Sequence, residues 1–152
     1  MKLASYTIER RFTVAPDRLF RAFTVPAELE AWVWGEYGIA VRAVADLRVN
    51  GTFDITADLG REGRGGMRGV YLQIEPGRRL VHTLHWDAPV GYNGPGMNPL
   101  DEVVVVDVLP DGDGSLLRYH HLGIPDDGAS CAAHERAVRG TLDLLERHVR
   151  PA

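Results

Sequence analysis

The chain has 152 residues, 45% of them hydrophobic, with a formal net charge of −4 and a pI near 5.8. That length suits one domain spanning 1–152 with a buried core; the apolar content excludes a disordered chain, and the acidity argues against nucleic acid, which needs a basic face. No apolar run approaches the roughly 18 residues of a membrane span, and the opening MKLASYTIERRF has no long apolar stretch of the kind a secretory signal carries. Cys131 stands alone, which excludes an intrachain disulfide and a multi-cysteine metal site. A cytoplasmic domain is expected.

Ser5–Val14 alternates Tyr6, Ile8, Phe12 and Val14 with polar residues, the pattern of a half-buried strand, with Arg10 as one polar intruder on the apolar side. Pro16 and Pro26 each suit the first turn of a short helix, where a missing N–H costs nothing. Leu19, Phe20 and Phe23 give the first helix an apolar side, and Leu29 and Trp32 the second. From Ile39 the chain reads as strands: Ile39–Leu47, Thr52–Leu59, Met67–Glu75, Leu80–Trp86, Val103–Leu109 and Ser115–Leu122. Asn50-Gly51, the run Gly60–Gly66, Pro76-Gly77 and residues 111–114 (DGDG) separate them as turns. The long stretch Asp87–Asp101 is read as a lid or subunit contact, with Val90, Tyr92, Met97 and Leu100 to close it.

For the last hairpin, a register in which opposed residue numbers sum to 225 sets Val104, Val106 and Val108 against His121, Tyr119 and Leu117. It also pairs Asp107 with Arg118 on the other face. The C-terminal stretch Ser130–Val149 is a long helix, with His134, Val138, Leu142, Leu145 and Val149 on one face. Glu135–Arg139 and Asp143–Arg147 are acid-first pairs on its wet side. Asp127 or Ser130 caps its start, and Gly140 is read as leaving room for a close approach. One strand, two helices, six strands and one helix imply an α+β fold, a curved antiparallel sheet wrapped around the long helix.

Several stretches resemble a known family: FTVAPDRLFRAFTVPAELEAWVW (12–34), ADLRVNGTFDI (45–55), GVYLQIEPGRRLVHTLHW (69–86), LLRYHHLG (116–123) and AHERAVRGTLDLL (133–145). In this order they are similar to the START/SRPBCC superfamily of helix-grip proteins, in the branch named after the activator of the heat-shock-protein-ninety ATPase. The resemblance implies a small-molecule-binding domain. In three places the chain departs from the pattern. Trp32-Val33-Trp34 stands where two adjacent tryptophans are usual, Asn50-Gly51 replaces Gly-Gly, and Ala137-Val138 replaces Gly-Trp in the last helix. The co-chaperone's separate N-terminal domain has no counterpart, which argues against chaperone binding.

A sheet closing on one helix leaves an apolar interior, the usual ligand site of such an architecture. Its expected wall is Trp32, Trp34, Leu84, Trp86, Val104, Val106, Tyr119, His121, His134, Val138 and Leu142. The plainer reading is that these side chains fill the core. His121 and His134 suit a ligand carbonyl or carboxylate, or proton transfer near neutral pH; alternatively they are structural and bonded to backbone or Tyr119. No third metal ligand is identifiable, so neither a metal nor a cofactor is expected. His82 is placed inside, and His85 and His120 outside. The glycine run 60–66 lacks the lysine and following helix of a phosphate loop. The leading expectation is an apolar ligand such as a lipid, polyketide or aromatic metabolite. The alternatives are a cyclase, dehydratase or hydrolase using His121, His134 and Tyr119, and an interaction module that binds a chaperone or forms a homodimer.

Overall fold

The computed structural model describes residues 2–35, 38–94, 98 and 100–151. The chain runs β1 (Leu3–Phe12), α1 (Pro16–Thr24), α2 (Pro26–Trp32), β2 (Ile39–Ala45), β3 (Thr52–Asp58), a 3-10 turn (Gly60–Glu62), β4 (Arg64–Glu75), β5 (Arg79–Asp87), β6 (Glu102–Asp111), β7 (Gly114–Pro125) and α3 (Ser130–Val149). The strands form one sheet in the order β1-β7-β6-β5-β4-β3-β2, every neighbouring pair antiparallel. α1, α2 and α3 pack together, and α3 lies against β1 and β7. This is the expected helix-grip arrangement, α+β with a sheet around the long helix.

Both short helices have proline in the first turn. Leu19, Phe20 and Phe23 of α1 are buried. Trp32 Nε1 donates to the Ala22 carbonyl at 2.8 Å, and the Trp32 ring meets Phe23 edge-on at 5.2 Å, which locks α2 to α1. Asn50 takes a left-handed φ of 68°. A side chain at Gly51 would strike the Asp46 carbonyl, so the β2–β3 turn needs glycine there.

The β6–β7 register pairs Val104 with His121, Val106 with Tyr119, Val108 with Leu117 and Asp107 with Arg118. The ion pairs differ from that expectation. Asp107 is held by two guanidinium nitrogens of its β5 partner Arg79, Nε at 2.6 Å and Nη2 at 2.9 Å, and Arg118 turns to Glu9 of β1. A bidentate partner on the adjacent strand outcompetes a single contact. The glycine run also differs, because Arg64–Gly66 already belong to β4 and pair with Asp58, Ala57 and Thr56. Leu59, Pro89 and Thr56 crowd the space where side chains on Gly65 and Gly66 would lie, so the strand there is built for bare backbone.

Arg10, the intruder of β1, bonds Asp143 at 2.6 Å and Glu146 at 2.9 Å on α3. This takes Asp143 from its expected partner Arg147, while Glu135–Arg139 forms at 3.5 Å. The N-cap position is Ala129, not Asp127 or Ser130; Asp127, two residues before it, accepts from the backbone N–H groups of Ala129 and Ser130 and from the Ser130 hydroxyl.

Candidate functional site

A pocket of about 580 Å³ lies between α3 and the sheet. α2 and the turn after it supply Trp32, Val33 and Trp34. β4, β5 and β7 supply Met67, Leu84, Trp86, Tyr119 and His121. α3 supplies Ser130, Ala133, His134, Ala137, Val138, Thr141 and Leu142. Exposed Arg61 and Glu62, with Leu59 and Tyr92, complete the lining. Trp34 has a left-handed φ of 61°, rare for so bulky a residue, and its ring lies 6.1 Å from that of Trp86.

Nine of the residues expected on the wall line this pocket: Trp32, Trp34, Leu84, Trp86, Tyr119, His121, His134, Val138 and Leu142. Val104 and Val106 do not; both are wholly buried in the core. Their cross-strand partners, His121 and Tyr119, are larger rings that reach the pocket while the valines end short of it. α1 packs against β6, a strand that the sequence reading leaves to the long helix alone. In the loop after β5, Tyr92 meets Trp86 edge-on at 5.9 Å, and the Asn98 side chain bonds both backbone groups of Trp86. Val90 and Leu100 are exposed instead of closing the pocket, and Met97 lies outside the described residues.

The chemistry gathers at one place on the wall. β7 points His121 inward with no exposure, and α3 brings His134 so that the two rings lie 4.3 Å apart. Between them is Glu102 of β6, also with no exposure. Its Oε1 is 2.6 Å from His121 Nε2 and 3.4 Å from His134 Nε2, and its Oε2 has no hydrogen-bond partner among the described residues. The far nitrogens meet hydroxyls: Tyr6 of β1 is 2.8 Å from His134 Nδ1 and 3.4 Å from His121 Nδ1, and Tyr119 is 3.5 Å from His121 Nδ1.

Burial alone would raise the Glu102 carboxyl, but the bonds and charges of His121 and His134 outweigh it and hold the group at about 2. Burial lowers His121, so its imidazole is neutral near pH 7. Burial and the surrounding acidic groups raise the hydroxyls of Tyr6 and Tyr119, which stay protonated. With Glu102 ionised and accepting, the His121 imidazole carries its proton on Nε2.

The profile of the family described as activator of Hsp90 ATPase homolog 1-like protein matches residues 13–150. The chain belongs to this family. Among solved structures of similar fold are protein CV1439 of Chromobacterium violaceum (23% identity, 97% of this chain and 99% of that one, TM-score 0.77). Mll3558 of Rhizobium loti is similar at 25% identity, covering 97% of each chain, with TM-score 0.75. CalU16 of Micromonospora echinospora is similar at 23% identity over 97% of this chain and 76% of that one, with TM-score 0.67. No curated protein matches the sequence.

In this AHSA1-like chain, sequence reasoning missed Glu102 and Tyr6. Tyr6 shares the strand parity of Ile8 and was placed on the inner face, but only as packing. Glu102 shares the parity of Val104, Val106 and Val108; beginning the strand at Val103 hides it. Its discovery corrects the expectation that no third metal ligand exists, since Glu102, His121 and His134 each offer one ligand atom within 4.8 Å of the others. His82 is inside as expected, against Phe53 and Tyr71. His85 pairs with Asp101, and His120 with Thr7, away from the pocket.

Proposed function

We propose that this AHSA1-like chain binds an apolar small molecule carrying an oxygen-bearing head, of the lipid, polyketide or aromatic-metabolite class. The observation that carries the reading is the pocket: its volume, about 580 Å³, falls in the range of drug-sized ligand sites, and a few polar groups converge on one part of a wall built mostly of apolar side chains. Val138 supports it. The family resemblance leads one to expect tryptophan at that position, and the smaller side chain leaves room.

All three tryptophans of the chain line the pocket, so intrinsic fluorescence reports its occupancy. Titration with anilinonaphthalene sulfonate is expected to give saturable quenching. Val138→Trp, which puts an indole into the pocket, is expected to weaken binding about tenfold or more, roughly 1.4 kcal/mol per factor of ten, with the melting temperature held. Unchanged affinity in the folded variant would sink the proposal.

A second reading has its own observation. His134 lines the pocket and is backed by the Tyr6 hydroxyl at 2.8 Å and by the Glu102 carboxylate at 3.4 Å. His121 and His134, which line the pocket, are the groups that would do acid–base chemistry of the cyclase, dehydratase or hydrolase type on the bound molecule.

A further inference from the structure

We propose that Glu102, His121 and His134 bind a Zn²⁺ ion in the wall of the pocket, with one coordination position open toward the bound molecule. Zn²⁺ holds nitrogen and oxygen ligands at about 2.0–2.2 Å in a tetrahedron, which spaces the ligand atoms a little over ~3 Å apart. His134 Nε2 and Glu102 Oε1 stand at 3.4 Å, already that spacing. His121 Nε2 and Oε1 are at hydrogen-bond distance, 2.6 Å, and need to part by less than an ångström once the ion replaces the proton between them.

Two independent features point to a cation. Glu102 is wholly buried and its Oε2 has no partner among the described residues, so the carboxylate has coordinating capacity that protein donors leave unused. The second feature is the arrangement of the rings. Both turn Nε2 to the same carboxylate and Nδ1 to hydroxyls, Tyr6 at 2.8 Å from one and 3.4 Å from the other, with Tyr119 at 3.5 Å. When Nε2 takes the ion, each ring's proton sits on Nδ1, and these hydroxyls are ready acceptors. An outer hydrogen bond of this kind is what orients metal-binding histidines.

The set is two imidazoles and one carboxylate, which suits Zn²⁺ and leaves a fourth position for an exchangeable ligand. His121 and His134 line the pocket while Glu102 lies behind them, so that position faces the pocket. One carboxylate leaves the divalent ion with a net positive charge. A carboxylate, phenolate or enolate oxygen on the bound molecule would cancel it. The identity of that fourth ligand rests on the pocket reading above; the ion itself does not.

The test is equilibrium dialysis of chelator-treated protein against zinc chloride, with the metal quantified, and Co²⁺ as a spectroscopic stand-in. The expected result is one ion per chain, a raised melting temperature, and the visible absorption of low-coordinate Co²⁺. Glu102→Gln should abolish binding, and Tyr6→Phe should weaken it about 10–100-fold. Should Glu102→Gln fail to fold, His134→Gln, at a part-exposed helix position, decides instead. His85→Gln dismantles the separate exposed group of His85, Asp87 and Asp101 and should leave binding intact. The proposal is overturned if the wild type binds no ion, if binding survives both Glu102→Gln and His134→Gln, or if His85→Gln removes it. Dye titration of the metal-free protein tests the pocket separately: dye binding without zinc binding removes the ion alone, and zinc binding without dye removes the pocket reading alone.

Discussion

His82 shows what burial does to a histidine that no carboxylate accompanies. Its Nδ1–H donates to the Thr83 carbonyl at 2.8 Å, and its ring meets Phe53 at 4.8 Å and Tyr71 at 6.4 Å, both edge-on. Burial, with a smaller contribution from His121, pushes it down from 6.5 to about 4. The folded state therefore binds this proton less readily than the unfolded one. The associated stability is fully present above pH 6.5 and is lost as pH falls toward 4. Urea melts across that window should show the midpoint dropping on acidification, and His82→Asn, which keeps the donor to Thr83, should flatten the drop. An equal slope in the variant would place the acid sensitivity in another group.

At the scale of an element, α3 contains one residue that works against it. Gly140 is exposed, and a Cβ there would meet no atom within 4 Å. The expectation that it admits a close approach is therefore wrong; it is a helix-weakening residue with no packing reason. Gly140→Ala should stabilise by about 0.5–1 kcal/mol, which raises the melting temperature by about 1–4 °C for a domain of this size. Calorimetry checks it, and a fall would reveal a contact absent from this packing. The bounds of α3 were readable because His134, Val138, Leu142, Leu145 and Val149 keep one phase over five turns. The start of β4 was not, because Arg64, Gly65 and Gly66 carry turn chemistry, and only the crowding by Leu59 and Pro89 makes bare backbone the fitting choice. Glu102 was lost for the opposite reason: parity marks it as inward, but a charge at a strand end is ordinarily a sign of solvent.

For the molecule as a whole, Leu142 is the test of the arrangement. It is 1% exposed, and it borders both the core and the pocket. Leu142→Asp would bury a charge with no partner, a cost of several kcal/mol, about as large as single substitutions reach. Loss of near-ultraviolet circular dichroism and of a cooperative melt is expected; a near-wild-type melt would mean α3 does not close on the sheet this way. The fold was legible because strand alternation, turn residues and one helical phase all agree. The ligand site was legible only in outline, because which inward residues reach open space depends on α1 covering β6, a contact between segments far apart in the chain.

The sheet order has a consequence for how the protein comes into being. β1 is made long before β7, yet β7 is its only strand partner among the described residues, and Tyr6 meets His121 across 115 residues. Closing such a loop costs about 4 kcal/mol in chain entropy. During synthesis β1 must therefore wait, its inward side uncovered, until β7 has emerged. Tyr6, Glu102, His121 and His134 come from four different elements, so they assemble only when that last closure occurs. A chain made only as far as β5 cannot hold the cluster, and whatever binds there must wait for β6, β7 and α3.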